Sequence, residues 1–390
     1  MEKMAFSVAM NSYSAHPVST QDRVALLRLA RTRHVGPISF FHLMRKYQNA
    51  QEAIDRLPSI ARRSELDIPS VEDIQREIDM HDKKGWHLIS CYDPLYPAHL
   101  KALRDAPPFI SAAGCVDLLN KTRFAIVGSR TVSEIGQRMT EQITERLTEH
   151  SWVIVSGLAS GVDRCAHLAS IDKGGTIAVL AGGLGHIYPN ENKDLYHAIA
   201  EKGLLISEDP LGMVPQPHLF SKRNRLISGL SWGVLVVEAS LRSGSLLTAK
   251  FAADQGRTIF AVPGHPLDFR LRGTNKLIKQ GACLVQSADD ILEEYSLFCN
   301  QLHEPLSDDT YEVYPSMADI NDDLISRVRS LLSFVPTSVQ DIAQRLDQSP
   351  IMVRIALVEM EINGEVDHYP GDCVLLSAHT KMAGPSGQSG

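Results

Sequence analysis

The chain lacks paired cysteines. Its six (Cys91, Cys115, Cys165, Cys283, Cys299, Cys373) are scattered through 390 residues with no C-x-x-C among them. That pattern excludes a disulfide framework or a zinc ribbon and reads as reduced thiols. No stretch approaches the ~18 consecutive apolar residues of a membrane span. Met1–Pro17 has no basic segment followed by an apolar run, so no secretory signal is expected. A cytoplasmic location is expected. No Ser-His-Asp arrangement and no metal-ligand cluster is legible, so no metal or cofactor is expected. Hydrophobic content of 44% and charged content of 22% are ordinary for a globular protein with a large core.

The net charge of −7 argues against a general nucleic-acid coat, but its distribution is uneven. Residues 210–280 hold ten Lys or Arg against three acids, whereas residues 281–323 hold eleven acids and no Lys or Arg. A local basic surface inside an acidic chain fits a phosphate-rich partner, or simply solvated helix faces.

Six regions separate. Residues 1–20 read as a disordered N-terminus. Residues 21–84 are helical, with a turn at His34-Val35-Gly36-Pro37 that resembles a helix-hairpin-helix or sterile-alpha-motif module. Such turn amides can meet a DNA phosphate; with only one glycine in the turn, a plain helical hairpin is the favoured reading. Residues 85–296 alternate apolar strands with amphipathic helices, the pattern of a Rossmann-like, doubly wound, mostly parallel α/β sheet. The segment 86–119 is expected to add a strand or cap. Residues 297–321 read as an acidic linker. Residues 322–378 suit a winged helix of three helices and a hairpin around Gly371, and residues 379–390 a disordered tail. Its third helix carries one basic residue (Arg354) and two acids (Glu359, Glu361), which favours a protein-contact or regulatory role over groove reading.

The chemistry gathers at the expected strand ends, where open α/β sheets bind ligands. The first is Gly128-Ser129-Arg130, where amides, a hydroxyl and a bidentate fork suit an anion. The spacing from Gly128 to Gly136 is not the dinucleotide fingerprint, and the second strand ends without an acid for a ribose, so a nicotinamide enzyme is not expected. Next, Gly157 and Gly161 bracket a tight turn and are expected to line the cleft, with Asp163 capping the following helix. Lys193 follows a glycine-rich loop. Phe220, Lys222, Arg223, Asn224 and Arg225 open a helix: the ring could stack a base and the cations could hold phosphates. At least one of these cations is expected to be structural, pairing with Glu238. Ser243-Gly244-Ser245 opens a second anion-suited helix that carries Lys250, and Asn275 lies at a later strand end. Several phosphate-suited loops along one sheet edge suit a polymer better than one nucleotide.

Together, Gly128-Ser-Arg130, Ser156-Gly-Leu-Ala-x-Gly161-Val-Asp163, Tyr188-Pro189, Ser207-Glu208, Phe220-x-x-Arg-Asn-Arg225, Ser243-Gly-Ser245, Ala261-Val-Pro-Gly264 and Gly273-x-Asn275 resemble the DNA-processing protein A family (DprA, also called Smf). The resemblance implies single-stranded DNA binding without catalysis, loading of the RecA recombinase during natural transformation, and a homodimer through the Rossmann-like domain. It places Arg130, Phe220 and Lys222–Arg225 at the DNA. One departure is Pro217-His218, where the family often has a basic residue before the Phe.

Two rivals remain. Related Rossmann-like proteins hydrolyse nucleotide N-glycosidic bonds, using a P-G-G-x-G-T-x-x-E loop. The matching stretch here begins at Glu238 and has no downstream Glu at that spacing. The other rival is a sensor of free nucleotide.

Overall fold

The computed structural model describes residues 20–47, 49–60, 67–301, 322–369 and 372–377. The expectations for the N-terminus, most of the linker, the hairpin tip and the tail lie outside them. The described residues fall into two compact units. One runs through residues 75–301, and the other joins residues 20–74 to 322–377.

The first unit is built on a nine-stranded sheet of order β1-β2-β6-β5-β4-β3-β7-β8-β9. The strands are β1 (His87–Ser90), β2 (Phe109–Gly114), β3 (Arg123–Val127), β4 (Val153–Ser156), β5 (Thr176–Val179), β6 (Leu204–Ser207), β7 (Gly233–Val236), β8 (Thr258–Ala261) and β9 (Cys283–Leu284). From β6 to β9 every pairing is parallel, while β1 and β2 add an antiparallel pair beyond β6. The expected extra strand is therefore two strands.

Strands β3 to β7 are buried along their whole length. This is why they read as unbroken apolar runs rather than alternating ones. One core cluster packs Phe124, Trp152, Trp232 and Phe260, with Tyr295 against it, and Ile143 and Leu147 come from the helix after β3. A second cluster packs Leu180, Leu184, Leu195, Tyr196 and Leu205.

The topology positions the site. From β3 the chain winds outward through β4, β5 and β6, and then returns to lay β7 beside β3 and wind the other way. The ends of β3 and β7 therefore flank a switch point, the crevice where open α/β sheets hold ligands.

In the second unit, α1 (Thr20–Arg31), α2 (Pro37–Lys46) and α3 (Ala50–Ile60) form the helical module. The winged helix consists of α4 (Asp322–Leu331), α5 (Val339–Leu346) and α6 (Pro350–Ile362), closed by the antiparallel strands β11 (Val366–Tyr369) and β12 (Cys373–Leu376), with β10 (Thr337–Ser338) on the other side of β12. The third helix, α6, lies against α2. The Ser39 hydroxyl donates to the Glu361 carboxylate, and a Cβ at Gly36 would stand 2.4 Å from Glu361 Oε1. One flank of α6 thus meets the helical module rather than solvent. The chain's two end segments, read separately as modules, make one body.

Candidate nucleic-acid interface

Beyond the end of β3, the amides of Gly128, Ser129 and Arg130 donate to no group among the described residues. Their carbonyl side is anchored. Ser129 O accepts from Val162 N at 3.1 Å, at the start of α7 (Val162–Ser170). This close approach requires glycine at 161. Its φ is +72°, and a Cβ there would stand 2.2 Å from Ser129 O. The loop is thus anchored through a carbonyl while its amides, on partly exposed residues, stay unbonded, which is what an anion needs. Ser133 caps the next helix, α8 (Glu134–Glu149), accepting from Gly136 N at 3.1 Å.

Arg130 is exposed, and its guanidinium lies over the Phe220 ring, 5.8 Å from the centroid. Tyr188, from the loop after β5, makes a T-shaped contact with that ring, 5.2 Å between centroids. Phe220 comes from α9 (Pro217–Leu230), which follows β6. Cation, ring and ring form one row on the surface. Sequence reasoning placed Tyr188 only in a family motif. It lies in an irregular loop whose sequence has no periodicity to mark it.

The basic tract of α9 divides. Lys222 remains 43% exposed, with Glu208 and Asp209 at 3.5 and 3.6 Å. Asn224 is half-buried and donates to Gly244 O at 3.5 Å, which brings the Ser243–Ser245 turn beside α9. Ser243 and Ser245 hydroxyls stand 2.7 Å apart at the start of α10 (Ser245–Asp254), which carries the exposed Lys250. Lys193 is exposed at the first position of α11 (Lys193–Lys202).

Five expectations, at six residues, are corrected. The side chains of Arg223 and Arg225, 5% and 4% exposed, do not face a ligand. Arg223 donates to Gly157 O at 2.6 Å and to Val179 O. Arg225 pairs with Glu208 and donates to Asp105 O at 2.7 Å, tying α9 to the loop before β2. Glu238 is not the acid that neutralises this tract; its carboxylate accepts the Ser133 amide at 3.1 Å and the Ser133 hydroxyl.

Gly157 does not line the cleft but makes room for Arg223, since a Cβ would stand 2.2 Å from the guanidinium. Its amide and that of Ala159 donate to Asp163, at 3.1 and 3.4 Å. Asp163 therefore clamps the loop before α7 instead of capping the helix; Gly161 is the cap position and has no side chain to offer. Asn275 is half-buried and bonded to the backbone, with its amide group donating to Gly264 O at 2.9 Å and accepting from Gly264 N at 3.1 Å.

Beneath the site, charge is held in the buried interior. Burial pulls the Arg223 guanidinium down to about 10, against the opposing pull of Asp163. Burial pushes the Asp163 carboxyl up, with Arg223 pulling it back. His167 is drawn down to about 3, first by burial and then by the Arg223 charge. Its Nε2 accepts from Leu158 N at 3.3 Å, so Nδ1 carries the proton toward Thr176 Oγ1, 2.7 Å away. Unfolded histidine takes up a proton near 6.5 and the folded His167 does not. Acidification from neutral therefore favours the unfolded chain by up to about 1.4 kcal/mol per pH unit below that value. Compared by urea unfolding, wild type and His167→Asn should differ by about 2 kcal/mol less at pH 5 than at pH 7. An equal gap at both pH values would show that His167 is protonated in the fold.

No group of three or more His, Cys, Asp or Glu side chains is placed to hold a metal among the described residues. No helix among them is long and apolar enough to cross a membrane.

Comparison with known proteins adds to this geometry. Residues 87–296 match the family model described as DNA recombination-mediator protein A. Residues 20–79 match the DprA-like N-terminal HHH domain and residues 315–372 the DprA winged helix domain. The chain is 43% identical over 242 residues to DNA processing protein DprA of Bacillus subtilis, covering 62% of this chain and 81% of that one. It is 37% identical over 306 residues to protein Smf of Escherichia coli, covering 76% and 79%. The X-ray structure of DprA from Streptococcus pneumoniae aligns with a TM-score of 0.56 at 33% identity, covering 74% of this chain and 97% of that one. A Helicobacter pylori DprA structure, described for its single-stranded DNA binding mode, aligns with a TM-score of 0.50 at 29% identity, covering 55% and 96%.

Proposed function

Since the chain belongs to the DNA recombination-mediator protein A family, we propose that it binds single-stranded DNA across the switch-point face and hands that strand to the RecA recombinase in natural transformation, catalysing no reaction itself. The observation that carries this reading is the row of Arg130, Phe220 and Tyr188 beside the unbonded amides of Gly128–Arg130. A positive fork supplies a phosphate contact and rings supply stacking, the two ingredients of single-strand binding. Lys222, Lys193 and Lys250 extend the phosphate track. Ser129, Asn224, Ser243 and Gly244 offer polar contacts between them. A homodimer through the Rossmann-like domain belongs to the same proposal.

Hydrolysis of a glycosidic bond is disfavoured by Glu238. It is 4% exposed and both of its oxygens accept from Ser133, so it is held away from a substrate's proton.

The test is a salt series with an oligothymidylate. About three or four phosphate contacts give a slope of log affinity against log salt of roughly −2 to −3. A flat response would remove the phosphate track.

A further inference from the structure

The geometry points to Tyr188 as a base-stacking residue: we propose that Tyr188 and Phe220 are two non-parallel platforms that force adjacent bases of a bound strand apart. The inference rests on the single-strand reading above and adds which bases the site prefers.

Tyr188 is 50% exposed, more than Phe220, which lies partly beneath the Arg130 guanidinium. The tyrosine ring therefore offers the larger open face. It is also held in place. On one side of its loop, Leu184 is buried and Gly185 N donates to the Tyr196 hydroxyl at 3.0 Å. On the other, Asn192 N donates to Pro189 O at 3.1 Å and the Asn192 side chain donates to Leu158 O at 2.9 Å. A ring fixed before the ligand arrives loses little freedom when a base stacks on it.

The angle between the rings decides the consequence. Their planes meet at 61°. Two bases lying flat on these two faces cannot remain parallel, so a strand that engages both rings gives up its own stacking at that step. Thymine runs stack weakly and adenine runs stack strongly, and preferences of single-strand sites follow stacking strength. The site should therefore prefer oligothymidylate to oligoadenylate, and reject a duplex whose bases stay parallel.

The test is affinity of the full chain for fluorescein-labelled oligothymidylate and oligoadenylate of equal length. Tyr188→Ala should weaken oligothymidylate binding about five- to a hundredfold, whereas Tyr188→Phe, which keeps the ring, should stay within about twofold of wild type. The wild-type preference for thymidylate should narrow in Tyr188→Ala. Tyr188→Trp should show fluorescence quenching when oligothymidylate is added. Tyr188→Ala binding like wild type, or Tyr188→Trp showing no quenching in a chain that binds, overturns the stacking role and leaves the site reading intact. Failure of wild type itself to bind oligothymidylate overturns both.

Discussion

Arg223→Ala is expected to destabilise the fold by about 3–5 kcal/mol. The guanidinium is 5% exposed and donates to the carbonyls of Gly157 and Val179, the exits of β4 and β5. Its removal leaves both oxygens in the interior without a donor, at about 1–3 kcal/mol each. It also opens a cavity and removes the positive charge that opposes the Asp163 carboxylate in a buried site. Arg223→Lys keeps a charge but not the planar fork, and should recover only part of the loss. Urea unfolding followed by circular dichroism measures this. A loss below about 1 kcal/mol, the range of surface substitutions and single neutral hydrogen bonds, would mean that Arg223 is not the joint between the two strand ends.

Arg130→Ala should do the opposite, leaving stability within about 0.5 kcal/mol of wild type while weakening oligothymidylate binding roughly ten- to a hundredfold. Arg130 is exposed and touches the fold mainly through the Phe220 ring, a contact of modest value at an exposed site. Against a phosphate it supplies a charge-assisted fork beside three open amides, and a hydrogen bond to a charged group contributes about 1.5–3 kcal/mol. Arg130→Lys should bind at an intermediate level. The pair of variants separates the two arginine types: one acts inside the fold, the other at its surface. Unchanged affinity in Arg130→Ala would take the Gly128–Arg130 loop out of the interface.

That separation is what the sequence does not display. The sheet was legible because β3 to β7 are buried on both faces and read as apolar runs. The loop after β3 was legible because a glycine follows such a run at a strand end. The tract from Lys222 to Arg225 reads as four polar residues on one helix start. Two of them are interior because α9 is a core helix, buried from Arg225 to Leu230. The available signal was Glu208-Asp209 at the end of β6, a buried acid pair that calls for cations from a neighbouring element and meets both Arg225 and Lys222; Glu238 drew attention instead. Asn275 and Asp163 read as ligands or caps, yet both turn back to backbone groups of their own neighbourhood, which composition cannot reveal. The joining of the helical module to the winged helix was least legible. It depends on Ser39 meeting Glu361, 322 residues apart, and no local pattern encodes such a pairing.

Titration of the full chain with an oligothymidylate, the matching duplex and thymidine monophosphate at one fixed salt concentration tests the central claim most directly. The account predicts tight binding of the single strand, weaker binding of the duplex and none of the mononucleotide at comparable concentration. Equal or tighter binding of the mononucleotide would contradict it and make the switch-point loops a nucleotide pocket.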